Sequence, residues 1–396
     1  VKRSGKESGG CRWWRRAGVL LVLGSLCIGA VPSGAMAEVN LETSAKSAVL
    51  LEPESGKILF EKNAHAHVAP ASVTKLMTLL VAFDAIDQGK VGLQDKVVTS
   101  QRAFEMGGSQ IYLEPGEEMG MQDLLMSIAV QSANDACVAV AEHVSGSYEG
   151  FVDEMNKKAA SLGLKNTHFV NPHGLPAEDH YTSAYDMAII AKEALKYPKL
   201  REMAATRHYK IRGDSAKPML LDNHNKLLWW YAGTDGFKTG WTSEANFCLA
   251  STVERDRLRL VATVFGVPEM RGHFKESMKL FNYGFSKYRF FPVAEKQHPL
   301  AQVKVAKGEK DTVAVVPLGT PGVMVERGKD KNIEAYTEVV DSVNAPVEAG
   351  QKLGELVVVQ QGQEMRRVDL VAQEAVRKDT LGGQMEKIWQ RMYAVQ

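Results

Sequence analysis

Cysteine is scarce in this chain of 396 residues, with four in all. Two of them, Cys11 and Cys27, fall in an N-terminal stretch laid out like a secretory leader, which leaves Cys137 and Cys248. Two cysteines do not make a disulfide framework in an exported protein of this size; buried free thiols or a single bridge remain as readings. Long apolar runs are lacking too: "AGVLLVLGSLCIGAV" (17–31) is short for a membrane span. There is no clustered surplus of positive charge. Setting the leader aside removes six of 48 Lys/Arg and one of 47 Asp/Glu, leaving 42 against 46, or about −4. That excludes a nucleic-acid footprint, so no nucleic acid is expected as a partner. His65 and His67 have no third ligand in reach of their spacing and read as solvated loop residues, so no metal is expected. There is no internal repeat and no low-complexity segment.

What is present begins with that leader. Lys2, Arg3, Lys6, Arg12, Arg15 and Arg16 precede the apolar run, and "AMA" (35–37) follows as a small-residue cleavage site. Residues 1–37 therefore read as a signal peptide, and the mature chain starts at Glu38. Leu26, bulky beside Cys27, argues against lipid attachment at that cysteine. Residues 38–290 alternate helical and strand patterns. "SAVLLEP" and "KILFEKN" flank a turn, "MQDLLMSIAV" and "ACVAVAEHV" flank the break "QSAND", and "NFCLASTV" with "RLRLVATVFGV" reads as a hairpin. Residues 291–370 are rich in Val, Gly and Lys in short alternating runs, which predicts a small all-β domain. The tail, 371–396, turns helical again, with Leu381, Met385, Ile388, Trp389 and Met392 on one apolar stripe.

Three short motifs carry chemistry. In "APASVTKLMTLLVAFDAI" (69–86) the apolar residues point almost all round the helix, so it is buried on most sides. Ser72 and Lys75 are three apart, neighbours roughly 5–6 Å apart at Cβ. A buried, unpaired lysine tends to lose its proton, and such an amine can turn a serine hydroxyl into a nucleophile. Otherwise Lys75 snorkels to the surface. The second motif is Ser132-Ala133-Asn134. It supplies a hydroxyl and a carboxamide at a break between helices, or it is a plain turn with Asn134 or Asp135 as helix cap. Ser342-Val343-Asn344 has the same pattern and reads as a turn in the β domain. The third is Lys238-Thr239-Gly240, a strand edge along which a substrate backbone can lie, with a cation for a carboxylate. An edge strand protected by a lysine is the alternative.

Together, in this order, the motifs match the signatures of penicillin-binding proteins and serine β-lactamases. "APASVTKLMT", "QSANDACVAVAEHVSGS", "NPHGL", "DGFKTGWT" and "LFNYGF" resemble the D-alanyl-D-alanine carboxypeptidases among the low-mass penicillin-binding proteins. The resemblance implies an α+β fold, an antiparallel sheet flanked by helices, followed by a small all-β domain and a C-terminal amphipathic helix. It implies Ser72 as nucleophile on the peptide bond of a cell-wall stem peptide ending in D-Ala-D-Ala, Lys75 as general base, and Ser132 as relay to the departing amine. Asn134 would orient the acyl chain, and Lys238 and Thr239 would face the carboxylate. The N–H groups of Ser72 and Trp241, the latter just after Gly240, would form the oxyanion hole. β-Lactam antibiotics are implied as covalent inhibitors, and no cofactor is implied.

One departure stands out. Relatives place an arginine where this chain has His273, and Arg271 lies two residues earlier; either Arg271 reaches in, or carboxylate recognition rests on Lys238 and Thr239. A serine β-lactamase is the rival reading, but no Glu-x-x-Leu-Asn stretch lies between Ser132 and Lys238 to supply its hydrolytic base. A non-catalytic wall-binding protein has no need of the Ser72–Lys75 pair, and endopeptidase action on crosslinked wall stays open. The tail stripe, with Lys387 and Arg391 available for headgroups, suits a helix lying on the outer face of the bacterial cytoplasmic membrane. Packing of that helix on the β domain is the alternative.

Overall fold

The structure, a computed structural model, describes residues 14–17, 41–213 and 217–393. Apart from Trp14–Ala17, the expected leader lies outside the described residues. The chain divides into two compact units between Lys287 and Tyr288.

The larger unit is built on a five-stranded antiparallel sheet. Its strands are β1 (Ser47–Glu52), β2 (Lys57–Lys62), β3 (Thr234–Thr242), β4 (Asn246–Arg255) and β5 (Leu258–Val267), in the order β2-β1-β5-β4-β3. β1 is buried along its whole length, and β5 nearly so, because helices cover both faces. On one face Gly284 of the helix Gly272–Lys287 comes against Leu50 and Leu260; a Cβ there would stand 2.5 Å from a Leu260 methyl. On the other, Thr263 of β5 donates a hydrogen bond to Ala184 O at the start of the helix Ala184–Ala194.

A buried helical cluster stands on that second side. We label its members α1 (Lys75–Asp87), α2 (Met121–Val130), α3 (Asn134–Ser145) and α4 (Tyr148–Ser161). α1 buries ten of its thirteen residues, including Lys75, as its all-round apolar pattern predicts. Ser72 itself lies just ahead of α1, in a 3-10 turn over Ala71–Thr74 whose first residue, Ala71, has a positive φ of 47°. Gly146, at φ 73°, ends α3 in the left-handed conformation that a glycine adopts without a Cβ clash.

The smaller unit is all-β apart from its last helix. A seven-stranded sheet runs in the order Trp14–Ala17, Ile333–Val340, Lys352–Gln360, Gln363–Ala372, Thr312–Pro317, Ala301–Ala306, Ser342–Asn344. Val303, Val315, Val325, Leu356, Val358 and Leu370 are among its core residues. Ser342–Asn344, expected as a turn, is a short strand parallel to Ala301–Ala306. The last long strand reaches Ala372, and the helix begins only at Leu381. On that helix Leu381, Met385 and Trp389 are exposed at i, i+4, i+8 spacing. Lys387 corrects an expectation. Rather than pointing to solvent, its ammonium donates to Gly308 O and Glu309 O, both at 2.7 Å, and lies 3.2 Å from Asp379. Two main-chain acceptors and a carboxylate outbid water for it. The side chains of Ile388, Arg391 and Met392 lie outside the described residues. No helix among the described residues is long and apolar enough to cross a membrane.

Candidate active site

The three motifs converge although they lie far apart in sequence. Ser72, Ser132, Thr239, Gly240 and Trp241 line one cavity of about 390 Å³, with Ser109, His224, Lys226, Phe247, Arg271, His273 and Phe274 completing its wall. Three larger hollows, beside Asp84 and Lys158, beside Arg212, and beside Lys304 and Asp311 in the smaller unit, contain neither motif serine.

The Ser72–Lys75 pair forms because one turn separates the two residues. Lys75 Nζ lies 2.9 Å from Ser72 Oγ and donates to His173 O at 2.6 Å. Lys75 is fully buried, and burial pushes its pKa down from 10.5 to about 8, against the opposing pull of Cys137 and Asp135. The carbonyl of His173 is in place because the loop 171–175 is pinned to α1. Thr78 donates to Pro172 O, and Asn171 Oδ1 accepts from His173 N and Gly174 N. Gly174, at φ 84°, is needed there: a Cβ would stand 1.9 Å from Ala71 O. Burial also lowers the His173 pKa to about 3, so its ring is neutral near pH 7.

Ser132 sits at φ 65° with its Oγ buried and unpaired. Asn134 begins α3; its Nδ2 donates to Gly107 O at 2.6 Å, while its Oδ1 is buried without a partner. That oxygen is free to accept an amide N–H. Neither Asn134 nor Asp135 is the helix cap expected from sequence: the N-cap position falls on Ala133, with no side-chain cap bond, and Asp135 lies inside the first turn. Its carboxylate accepts from Ile111 N, Leu113 N and Ala136 N, binding residues 111–113 to the start of α3, while Asn134 N donates to Ser109 O and holds Ser109 there. Burial raises its pKa.

β3 is the edge of the sheet. A Cβ on Gly240 would lie 3.0 Å from Ser72 N, so the strand passes close beside the nucleophile's backbone. Lys238 is buried, and burial, then Lys75, lower its pKa to about 7. Among the described residues its one acceptor is Thr239 O, at 3.2 Å. Trp241 is 59% exposed at the mouth.

Several wall residues were not singled out from sequence. Ser109, His224 and Lys226 come from loops without a period or a strong motif, and Phe247 and Phe274 lie in a strand and a helix whose apolar pattern gives them no separate signal. Burial, then Lys238, Lys226 and Lys75, lower the His224 pKa to about 4. His273 lies parallel to the Phe247 ring at 5.3 Å and 4.0 Å from that of Phe274, and burial lowers its pKa to about 4. It is neutral near pH 7, so Arg271 is the charged member of that pair. Cys137 and Cys248 are free and buried, and His65 and His67 pack on Tyr185 and Tyr181. No cluster of metal-ligating side chains occurs among the described residues.

A serine hydroxyl paired with a buried lysine, beside a second serine and a strand edge, is a centre for serine acyl transfer. Residues 34–269 match the family described as D-alanyl-D-alanine carboxypeptidase, and residues 288–378 match the C-terminal domain of penicillin-binding protein 5. The chain is 41% identical over 364 residues to D-alanyl-D-alanine carboxypeptidase DacF of Bacillus subtilis, covering 90% of this chain and 94% of that one. Its fold is similar to penicillin-binding protein 5 from Haemophilus influenzae, with TM-score 0.66 and 31% identity over 88% of this chain and all of the other. It is also similar to penicillin-binding protein D2 from Listeria monocytogenes in the ampicillin-bound form, with TM-score 0.56 and 28% identity over 62% of this chain and 99% of that one. The chain belongs to the D-alanyl-D-alanine carboxypeptidase family of low-mass penicillin-binding proteins, and it is a serine-type hydrolase.

Proposed function

We propose that the protein removes the terminal D-alanine from peptidoglycan stem peptides through an acyl-enzyme on Ser72. The observation that carries this reading is the 2.9 Å contact between Ser72 Oγ and a fully buried Lys75. Lys75, as the neutral amine, takes the Ser72 proton while Oγ attacks the carbonyl of the penultimate D-alanine. The N–H groups of Ser72 and Trp241 hold the oxyanion; one such donor is worth ~3 kcal/mol of barrier. Lys75 returns that proton by way of the Ser132 hydroxyl to the departing amine nitrogen, the C–N bond breaks, and D-alanine leaves. Asn134 Oδ1 accepts an N–H of the acyl chain, and Lys238 with Thr239 holds the terminal carboxylate. Water then cleaves the Ser72 ester. β-Lactams acylate the same oxygen.

The experiment is direct. The purified protein is incubated with a pentapeptide ending in D-Ala-D-Ala and, separately, with a crosslinked dimer, and free D-alanine is followed. Release from the pentapeptide is expected. No release by intact enzyme would falsify the reading, and cleavage of the dimer alone would make it an endopeptidase.

The reading extends to location: the protein is exported, and its last helix lies in the interface of the cytoplasmic membrane. The exposed Leu381, Met385 and Trp389 support this, since Lys387 fixes the helix so that this stripe faces outward. Deleting residues 381–396 is expected to move the protein from the membrane pellet to the supernatant. An unchanged distribution sinks the assignment.

A further inference from the structure

Lys75 and Lys238 are both buried, and β3, which carries Lys238, packs against α1 and the turn that leads into it, so the two amines belong to one site. Two ammonium groups there need counter-charge, and the structure offers little. Among the described residues no ion pair involves either lysine, and no carboxylate lines the cavity. The groups that face Lys75 are Ser72, the His173 carbonyl and neutral ring, and, from α3, Cys137 and Asp135. Asp135 has its oxygens spent on main-chain N–H groups. Lys238 is faced by Lys75, by Cys137, whose thiol burial keeps protonated with a pKa of about 12, and by the neutral His224. Burying two like charges in one site without partners is far costlier than burying one. The pair therefore holds a single proton near neutral pH.

The geometry decides where that proton rests. Lys75 has two acceptors, at 2.6 and 2.9 Å, whereas Lys238 has one, at 3.2 Å. The proton sits on Lys75, the residue that must be neutral to act as base. A substrate carboxylate on Lys238 reverses the preference, because it supplies the missing counter-charge to that amine alone. We propose that the substrate's terminal carboxylate, by docking on Lys238, draws to it the one proton the two buried lysines share and so leaves Lys75 free to deprotonate Ser72. The exchange balances: a Lys75 ammonium and a Lys238 amine become a Lys75 amine and a Lys238 ammonium, with no net proton gained. The substrate's own end group thus switches on the nucleophile, and a peptide lacking it loses rate as well as affinity.

This rests on the carboxypeptidase reading, so the test separates the two. The full chain carrying Ser72→Ala, which binds without turnover, is labelled with carbon-13 at lysine Cε and titrated with pH by NMR. Titrations are run alone, with a peptide ending in D-Ala-D-Ala, and with the same peptide ending in an amide. With the carboxylate, the Lys75 midpoint should fall and the Lys238 midpoint rise, each by a pH unit or more; with the amide neither should move. A Lys75 midpoint that stays put while Lys238 responds overturns the proposal, as does a Lys238 that never responds. D-alanine release by the unaltered protein would survive either result.

The unaltered protein gives a second readout. A pair that works with one proton has kcat/KM falling on both sides of a maximum. A rate that climbs through pH 8 and holds to pH 10 would mean that Lys238 keeps its own proton throughout, and the proposal fails.

Discussion

Ser72→Ala is expected to lower D-alanine release by roughly 10⁴- to 10⁶-fold and to abolish labelling by a fluorescent penicillin. The size of the loss follows from what remains. The oxyanion donors, the strand edge and Lys238 still bind substrate, but no oxygen is left to accept the acyl group. Binding of an unreactive D-Ala-D-Ala analogue should change little, and the melting temperature should hardly move, because Ser72 contributes one small side chain at a cavity wall. Calorimetry of the analogue together with gel-based labelling checks both halves. Retained labelling would place the nucleophile elsewhere, and Ser132 would be the first place to look.

The second large effect is on Lys75→Met, where activity and stability should part company. Losing the general base should slow acylation by about 10²- to 10⁴-fold. Stability moves by a different route. The folded chain holds the Lys75 pKa at about 8 against 10.5 in the unfolded chain. Below pH 8 both states bind the proton, and the folded state bears the full cost of a buried cation, roughly 3 kcal/mol. Between pH 8 and 10.5 the unfolded chain binds more protons, so native stability rises with pH, and above 10.5 the cost is gone. Methionine, of similar shape and uncharged, removes that cost but leaves the His173 carbonyl without its donor, a loss of about 1–3 kcal/mol. The variant should therefore match or exceed the parent in melting temperature at pH 6 and fall below it at pH 10. Parallel pH dependences of the two melting temperatures would mean that Lys75 is not a buried cation in the folded protein.

What could be read from the sequence depended on the range of the interaction. Ser72 and Lys75 lie on neighbouring turns, so their encounter is written in a three-residue spacing, and the apolar residues of α1 already say that Lys75 is buried. The helices Met121–Val130 and Tyr148–Ser161 and the hairpin Asn246–Val267 announce themselves by period. The convergence of the three motifs was legible only through their resemblance to known enzymes, since no local rule brings Lys238 beside Lys75. The anchoring of His173 was not legible. It depends on Gly174 lying against Ala71, about a hundred residues away in sequence. Asp135 read as a cap, which it is not, and its hold on Ile111 N and Leu113 N needed coordinates. Lys387 was misjudged for a related reason. A helical wheel shows which side of a helix is polar, but it cannot show the carbonyls of Gly308 and Glu309 waiting across a gap of nearly eighty residues.

Much of what grips the substrate on this reading is peptide backbone: the amides of Ser72 and Trp241 and the open margin of β3. Backbone atoms are common to every amino acid but proline, so few single codon changes can delete them. Lineages under pressure from acylating drugs are left to warp the frame instead, for example by adding a methyl group at Gly240 that presses on Ser72 N. Such warping would blunt the drug and the natural peptide together, which ties the fitness cost of escape to the architecture itself.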